Sequence, residues 1–255
     1  MSKLWTPRTK IILAGLIFGV LGALAVNWGN PPNMGICVAC FLRDISGALN
    51  LHQASVVQYL RPEIMGFTLG AFITAFAFRE WRPRGGASPV IRFVLGALVM
   101  IGALVFLGCP IRMLLRLAGG DLNGVTALAG MLFGVLVGIF FLRKGFNLGR
   151  AVKMRPVAGW ILPVIMVGLL LLAIFNPAFI TTSEKGPGSQ YVPLALGLGI
   201  GLLVGFMAQR TRLCSVGAWR DIFLVKDFYL ISGICLLYTS PSPRDLSTSR
   251  MPSSA

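Results

Sequence analysis

The sequence predicts an all-α polytopic membrane protein, built on inverted-topology repeats with re-entrant half-helices that carry cysteines. Three observations lead there. The chain of 255 residues is 56% hydrophobic and only 12% charged. Runs of about 17–19 apolar residues recur along it, the length a helix needs to cross a bilayer core. Between the runs stand glycine- and proline-bearing turns whose cysteines have apolar neighbours.

Residues 1–10 carry Lys3, Arg8 and Lys10 and are expected on the cytoplasmic side. Span one covers about Ile11 to Asn27. It lacks a small-residue cleavage site, so it reads as a retained span rather than a signal peptide. Its Gly15 and Gly19 form a small face for close helix contact. The stretch from Gly29 to Ile45 begins as a turn and becomes apolar around Cys37 and Cys40. A surface loop has no use for such a sequence. It is therefore expected to dip into the membrane and pack among helices, where irregular backbone is tolerated. Residues 46–61 are less apolar and hold the only histidine, His52, expected at the interface with no metal or proton role.

Span two covers about Pro62 to Phe78 and ends in a basic loop from Arg79 to Arg84 that includes Trp81. Span three, 91–107, leads into Gly108, Cys109 and Pro110. Gly108 can end that span. Proline suits the first position of a new helix, where its missing N–H costs nothing. Cys109 then caps a half-helix, facing free N–H groups and the positive dipole end, a setting that favours thiolate character and attracts anions. Arg112 and Arg116 follow on that half-helix. Span four, about Val125 to Leu142, opens a loop with five basic residues. Span five covers about Val157 to Phe175. Span six, about Leu194 to Ala208, runs into Arg210, Arg212 and Cys214.

Cys37 is followed six residues later by Arg43-Asp44-Ile45, and Cys214 by Arg220-Asp221-Ile222. Both copies follow a glycine-studded span, which points to an internal duplication: a first repeat over about 11–142 and a second, incomplete, over about 157–234. In each copy the Arg-Asp pair is expected to be an internal ion pair pinning the turn, since an unpaired charge at this depth is expensive.

The net charge is +15, from 23 Lys and Arg against 8 Asp and Glu. No aromatic–basic interleaving accompanies it, so nucleic acid is not the expected partner. The basic residues gather in short loops. The N-terminus and the loops at 79–92 and 143–155 hold twelve, and the opposite side holds five. The richer side is expected to be cytoplasmic. Spans one and six then run in opposite directions and their cysteine turns enter from opposite faces, the architecture in which broken helices meet at a midplane substrate site. Five cysteines in a chain with so little outside the membrane make no disulfide scaffold. A lone Cys37-x-x-Cys40 is too little for zinc, and no phosphate-binding loop is present. No metal, cofactor or enzymatic site is expected. The alternative reading is a membrane thiol-disulfide oxidoreductase using Cys37 and Cys40.

With these residues in hand, the chain resembles the YeeE/YedE family of bacterial inner-membrane proteins with sulfur-transport repeats, most of all its branch associated with selenium metabolism. The resemblance covers about 11–233. It is carried by Gly205-Phe206, Arg210, Arg212-Leu213-Cys214 and Arg220-Asp221, by the looser copy at Cys37 and Arg43-Asp44, and by Gly108-Cys109-Pro110 with Arg112. It implies an inner-membrane transporter of a small sulfur or selenium species, such as a thiosulfate-like anion. Cys109, Cys37 and, with less support, Cys214 would lie on the path, handing the anion along by thiol hydrogen bonds. Gly108, Pro110, Arg112, Arg43, Asp44, Arg220 and Asp221 would support it. Cys40 has no counterpart in the second copy. A cytoplasmic sulfur-carrier protein is a partner the resemblance implies. A thiol is a soft, weak donor, suited to sites that admit an ion and let it go.

From Cys235 to Ala255 the character changes, with six serines and three prolines in the last 21 residues. This tail reads as non-native, like translated adapter sequence. The native chain is then expected to continue with a second-half counterpart of the Cys109 turn.

Overall fold

The computed structural model describes residues 7–239, apart from 33, 87, 107, 148 and 150. Most of the 235–255 tail lies outside the described residues. Those described fold into ten α-helices and one short two-stranded ladder. In chain order the helices are α1 (Pro7–Asn27), α2 (Val38–Ala48), α3 (Pro62–Ala77), α4 (Pro89–Val105), α5 (Pro110–Ala118), α6 (Asn123–Arg143), α7 (Pro156–Phe175), α8 (Leu194–Thr211), α9 (Ser215–Val225) and α10 (Tyr229–Thr239). Proline opens α3, α4, α5 and α7, where its fixed φ is already helical.

All six sequence spans are helices, but among the described residues five helical stretches, not six, are long and apolar enough to cross a membrane. The shortfall is α3, with 16 residues, about 24 Å at 1.5 Å per residue. Pro62 fixes its start, and Arg79 turns left-handed just past its end, at φ +56°.

The helices form two layers. α4 buries none of its residues, α6 only Gly124 and Ile139, and α7 only Pro163 and Met166. They present Phe93, Leu98, Phe133, Ile161, Val164 and Phe175 outward. A continuous apolar surface of this kind suits acyl chains and not water. Inside them lie α1, α3 and α8. α3 and α8 pack most extensively, because glycines let the backbones touch. A Cβ on Gly205 would collide with the Phe67 carbonyl, and one on Gly66 would come 2.5 Å from the Leu198 carbonyl oxygen. The small face of α1 meets α10, with Gly15 against Gly233.

Loops sort to two ends. At one, β1 (Arg84–Gly85) pairs antiparallel with β2 (Val152–Lys153), with Arg84 opposite Lys153. The same end carries the edge-on rings of Phe72, Trp81 and Trp160 and the Arg210–Glu80 ion pair at 3.1 Å. Thus the two basic loops that the charge count put on one side do share one end. At the other end the segment before α3 meets the segment before α8. Gln58 donates its N–H to Ser183 at 2.8 Å, and Tyr59 stacks on Tyr191 at 4.3 Å. One buried core cluster, with Met34, Phe41, Ile64 and Met65, encloses Cys37, Cys40 and Cys109.

Candidate functional site

Three short helices start on a cysteine. Cys37 caps α2 in an extended conformation (φ −117°, ψ 105°), and its sulfur accepts the Cys40 N–H at 3.4 Å. Cys214 caps α9 the same way (φ −138°, ψ 120°), accepting the Gly217 N–H at 3.4 Å. Both helices have 11 residues. Cys109 caps α5 (φ −86°, ψ 170°), ahead of Pro110. At Cys37 and Cys214 sulfur thus takes the place that serine or aspartate oxygen fills at ordinary N-caps, while Cys109 makes no such side-chain cap bond.

The cores of two of these turns meet. The Cys37 thiol donates to the Cys40 sulfur at 2.9 Å, and Cys109 lies in the same buried cluster. The backbone N–H groups of Val38, at the start of α2, and of Ile111 and Arg112, in the first turn of α5, approach the Cys109 sulfur. Two helix N-termini therefore converge on one group of thiols, and their dipoles add. Cys37 is fully buried, and Cys40 and Cys109 nearly so. All are thiols, not disulfides.

Arg112 supplies the charge. It is 6% exposed, donates from Nη1 to the Cys40 sulfur at 2.9 Å, and has an Nε with no partner. No carboxylate pairs with it among the described residues. Gly108 makes room for it: an added Cβ would sit 2.9 Å from Arg112 Cδ and 3.2 Å from Cγ. The glycine is needed for this space and not for a left-handed turn, since its φ is not positive.

The Arg43–Asp44 pair forms, at 2.8 Å, but it is only half of the arrangement. Arg61, fully buried, donates from Nε to the other Asp44 oxygen at 2.9 Å. It also donates to the carbonyls of Gln190 and Pro187 at 2.9 and 2.8 Å and to Asn30 Oδ1 at 3.3 Å. Its guanidinium lies over the Phe41 ring, 5.0 Å from the centroid. Asn30 has all four of its polar positions filled. Its Oδ1 also accepts the Val192 N–H, and its amide donates to the Gly35 carbonyl and to Glu63 Oε1, at 3.1 and 3.0 Å. The knot holds the Cys37 turn rigidly against α3.

The second copy is looser. Arg220 pairs with Asp221 at 2.7 Å, but Arg220 is 53% exposed and Cys214 is exposed too. Cys214 stands outside the thiol group. His52 is half-buried, its Nε2 3.0 Å from the Arg43 carbonyl, and it braces the end of α2. Among the described residues no group of three His, Cys, Asp or Glu could hold a metal ion. Cys40, to which the repeat pattern gives least weight, touches both Cys37 and Arg112. Arg61, Asn30 and Glu63 are not singled out by any motif. The available signal was the charge pair flanking Pro62 at the start of an apolar helix.

Fold and site together define an all-α protein with several membrane-length helices and a buried, cationic thiol cluster between two helix N-termini. Comparison with protein-family models, curated proteins and solved structures finds no match to the chain.

Proposed function

We propose that the protein is a transporter of a small sulfur or selenium oxyanion of the thiosulfate type, in the manner of the YeeE/YedE family it resembles. One observation carries the reading: a buried Arg112, without a carboxylate, beside three thiols at the meeting of two helix N-termini. An uncompensated guanidinium in an apolar interior is costly. An anion is the partner that relieves it, and helix N-termini bind anions by the same logic. The thiols give soft, weak donors for sulfur or selenium atoms. Serine hydroxyls would suit a phosphate equally well; cysteines do not.

The re-entrant, inverted arrangement belongs to the same reading. α2 and α9 share length, cap chemistry and the Arg-Asp pair, and the connections that lead to them leave opposite ends of the bundle. In this arrangement the α2 and α5 turns form one mouth of a path across a bacterial inner membrane, with the N-terminus cytoplasmic and a sulfur-carrier protein receiving the product inside. A second reading, thiol–disulfide exchange, is favoured by the 2.9 Å approach of the Cys37 and Cys40 sulfurs.

Binding of labelled thiosulfate to the purified chain, and uptake by cells expressing the full-length gene, test the choice. A charge-assisted hydrogen bond is worth about 1.5–3 kcal/mol, so Arg112→Met should weaken binding roughly 10- to 150-fold. Cys109→Ala should abolish uptake, and excess selenite should compete. Binding unchanged in Arg112→Met sinks the anion site. Activity lost in Cys40→Ser together with disulfide turnover would transfer the case to the oxidoreductase.

A further inference from the structure

Among the described residues Glu63 is the one buried acid that the Asp44 knot leaves without an ion pair. It is 1% exposed, in the first turn of α3. Asn30 donates to its Oε1 at 3.0 Å, and its own backbone N–H reaches the carboxyl. Its Oε2 has no hydrogen-bond partner, and no ion pair reaches it among the described residues. The charged and titratable groups that face it are Arg61 on its own segment, Asp44 on α2 and Tyr59 on the preceding loop. Arg61 is spent on Asp44 and on two carbonyls, and it touches Glu63 only through Asn30. The face of α8 against Glu63 is glycine: Gly197 comes so close that a Cβ there would lie 3.5 Å from Oε1.

Glu63 lines an apolar cavity of about 10 Å³, walled by Phe18, Ile36, Val38 and Ile111 among others. That is about the least room one water needs. The walls place it. Ile36 and Val38 flank Cys37, and Ile111 follows Cys109-Pro110. Val38 and Ile111, which line this cavity together with Glu63, also pack against the buried cluster that holds the three thiols, so they form a wall between the two.

We propose that Glu63 is a proton-binding site linked to the anion site. Oε2 takes one proton as the Arg112–thiol cluster takes an anion, and gives it up when the anion leaves. The proton's source and sink is water; nothing is oxidised or reduced. An unpaired carboxylate in apolar surroundings is costly, and a negative charge arriving across a shared wall favours the neutral acid further. Linkage makes the effect reciprocal, so protonated Glu63 strengthens anion binding. This deepens the transport reading and rests on it, because it supplies the coupling ion.

Two measurements on the purified full chain test it. With thiosulfate bound, the infrared carbonyl band of a protonated carboxylic acid should be present in the wild type and missing in Glu63→Gln. Glutamine keeps the shape and the Asn30 bond, and unchanged melting confirms that the variant folds. Thiosulfate affinity should rise about tenfold per unit fall in pH if one proton is taken up per anion, with a flatter slope in Glu63→Gln. Absence of the acid band overturns the proton site and leaves thiosulfate binding standing. A band with an unchanged slope in Glu63→Gln overturns the linkage. No thiosulfate bound at any pH removes the sulfur-anion reading and the linkage with it, and a band that is present then shows a carboxyl protonated independently of any anion.

Discussion

Asp44 and Asp221 follow the same motif arginine in two copies of one sequence pattern, so their replacement by asparagine separates environment from motif. Asp44 and Arg61 are both 0% exposed and pair at 2.9 Å. In Asp44→Asn the amide would keep the shape and one acceptor oxygen, but it leaves a guanidinium buried without its counter-charge. Breaking a buried pair from one side costs roughly 3–5 kcal/mol. For a chain of this size each kcal/mol moves the melting temperature about 2–4 °C, so Asp44→Asn should lower it by roughly 6–20 °C. At the other copy Arg220 is 53% exposed, and solvent screens the pair. There the loss in Asp221→Asn should be at most about 1 kcal/mol, a shift of no more than about 4 °C. The assay is thermal unfolding of the purified protein in one detergent, read by tryptophan fluorescence. Equal shifts in the two variants would refute the argument that Arg61, and not the motif itself, gives Asp44 its weight. The double variant Asp44→Leu with Arg61→Met should regain only part of the loss, because the Pro187 and Gln190 carbonyls then lose their donor.

Gly108→Ala puts a Cβ 2.9 Å from Arg112 Cδ. The flexible stem yields before the backbone does, so the fold should survive while thiosulfate affinity falls at least about tenfold as the guanidinium leaves Cys40; unchanged affinity would show that Gly108 only ends a helix. In a Cys235→Ser background, a maleimide should label native protein at Cys214, which is exposed, and leave Cys37, Cys40 and Cys109 unreacted until the protein is denatured. Rapid native labelling of Cys37 would contradict the closed thiol cluster.

The spans were legible because membrane burial is written locally: an unbroken apolar run long enough to cross needs no partner to declare itself. The Cys109 cap was legible for a similar reason, since a cysteine between a glycine and a proline fixes its own backbone. What failed to show was each residue whose meaning depends on a distant segment. Arg61 reads as one more loop charge until Pro187 and Gln190 close over it. Glu63, next to Pro62, reads as an ordinary first-turn acid until Gly197 brings α8 against it. Cys40 was discounted because the second copy lacks it, yet it is held in place by Arg112, 72 residues along the chain. The ends of α3 were legible to within one residue, since Pro62 and the left-handed Arg79 bracket it, but its 16 residues leave it shorter than the other membrane-length helices.

The Arg61 knot also dictates an order of construction. Its guanidinium belongs to the first third of the chain, but two of the carbonyls that receive it lie at residues 187 and 190, some 126 to 129 positions later. Until residues 187 and 190 have been made, Arg61 has Asp44 and Asn30 to bond but not those carbonyls. The first half can therefore enter the membrane early but cannot lock. Closure of the knot therefore waits for the segment before α8 to emerge and lie across it, a clasp made from outside the helices it fastens.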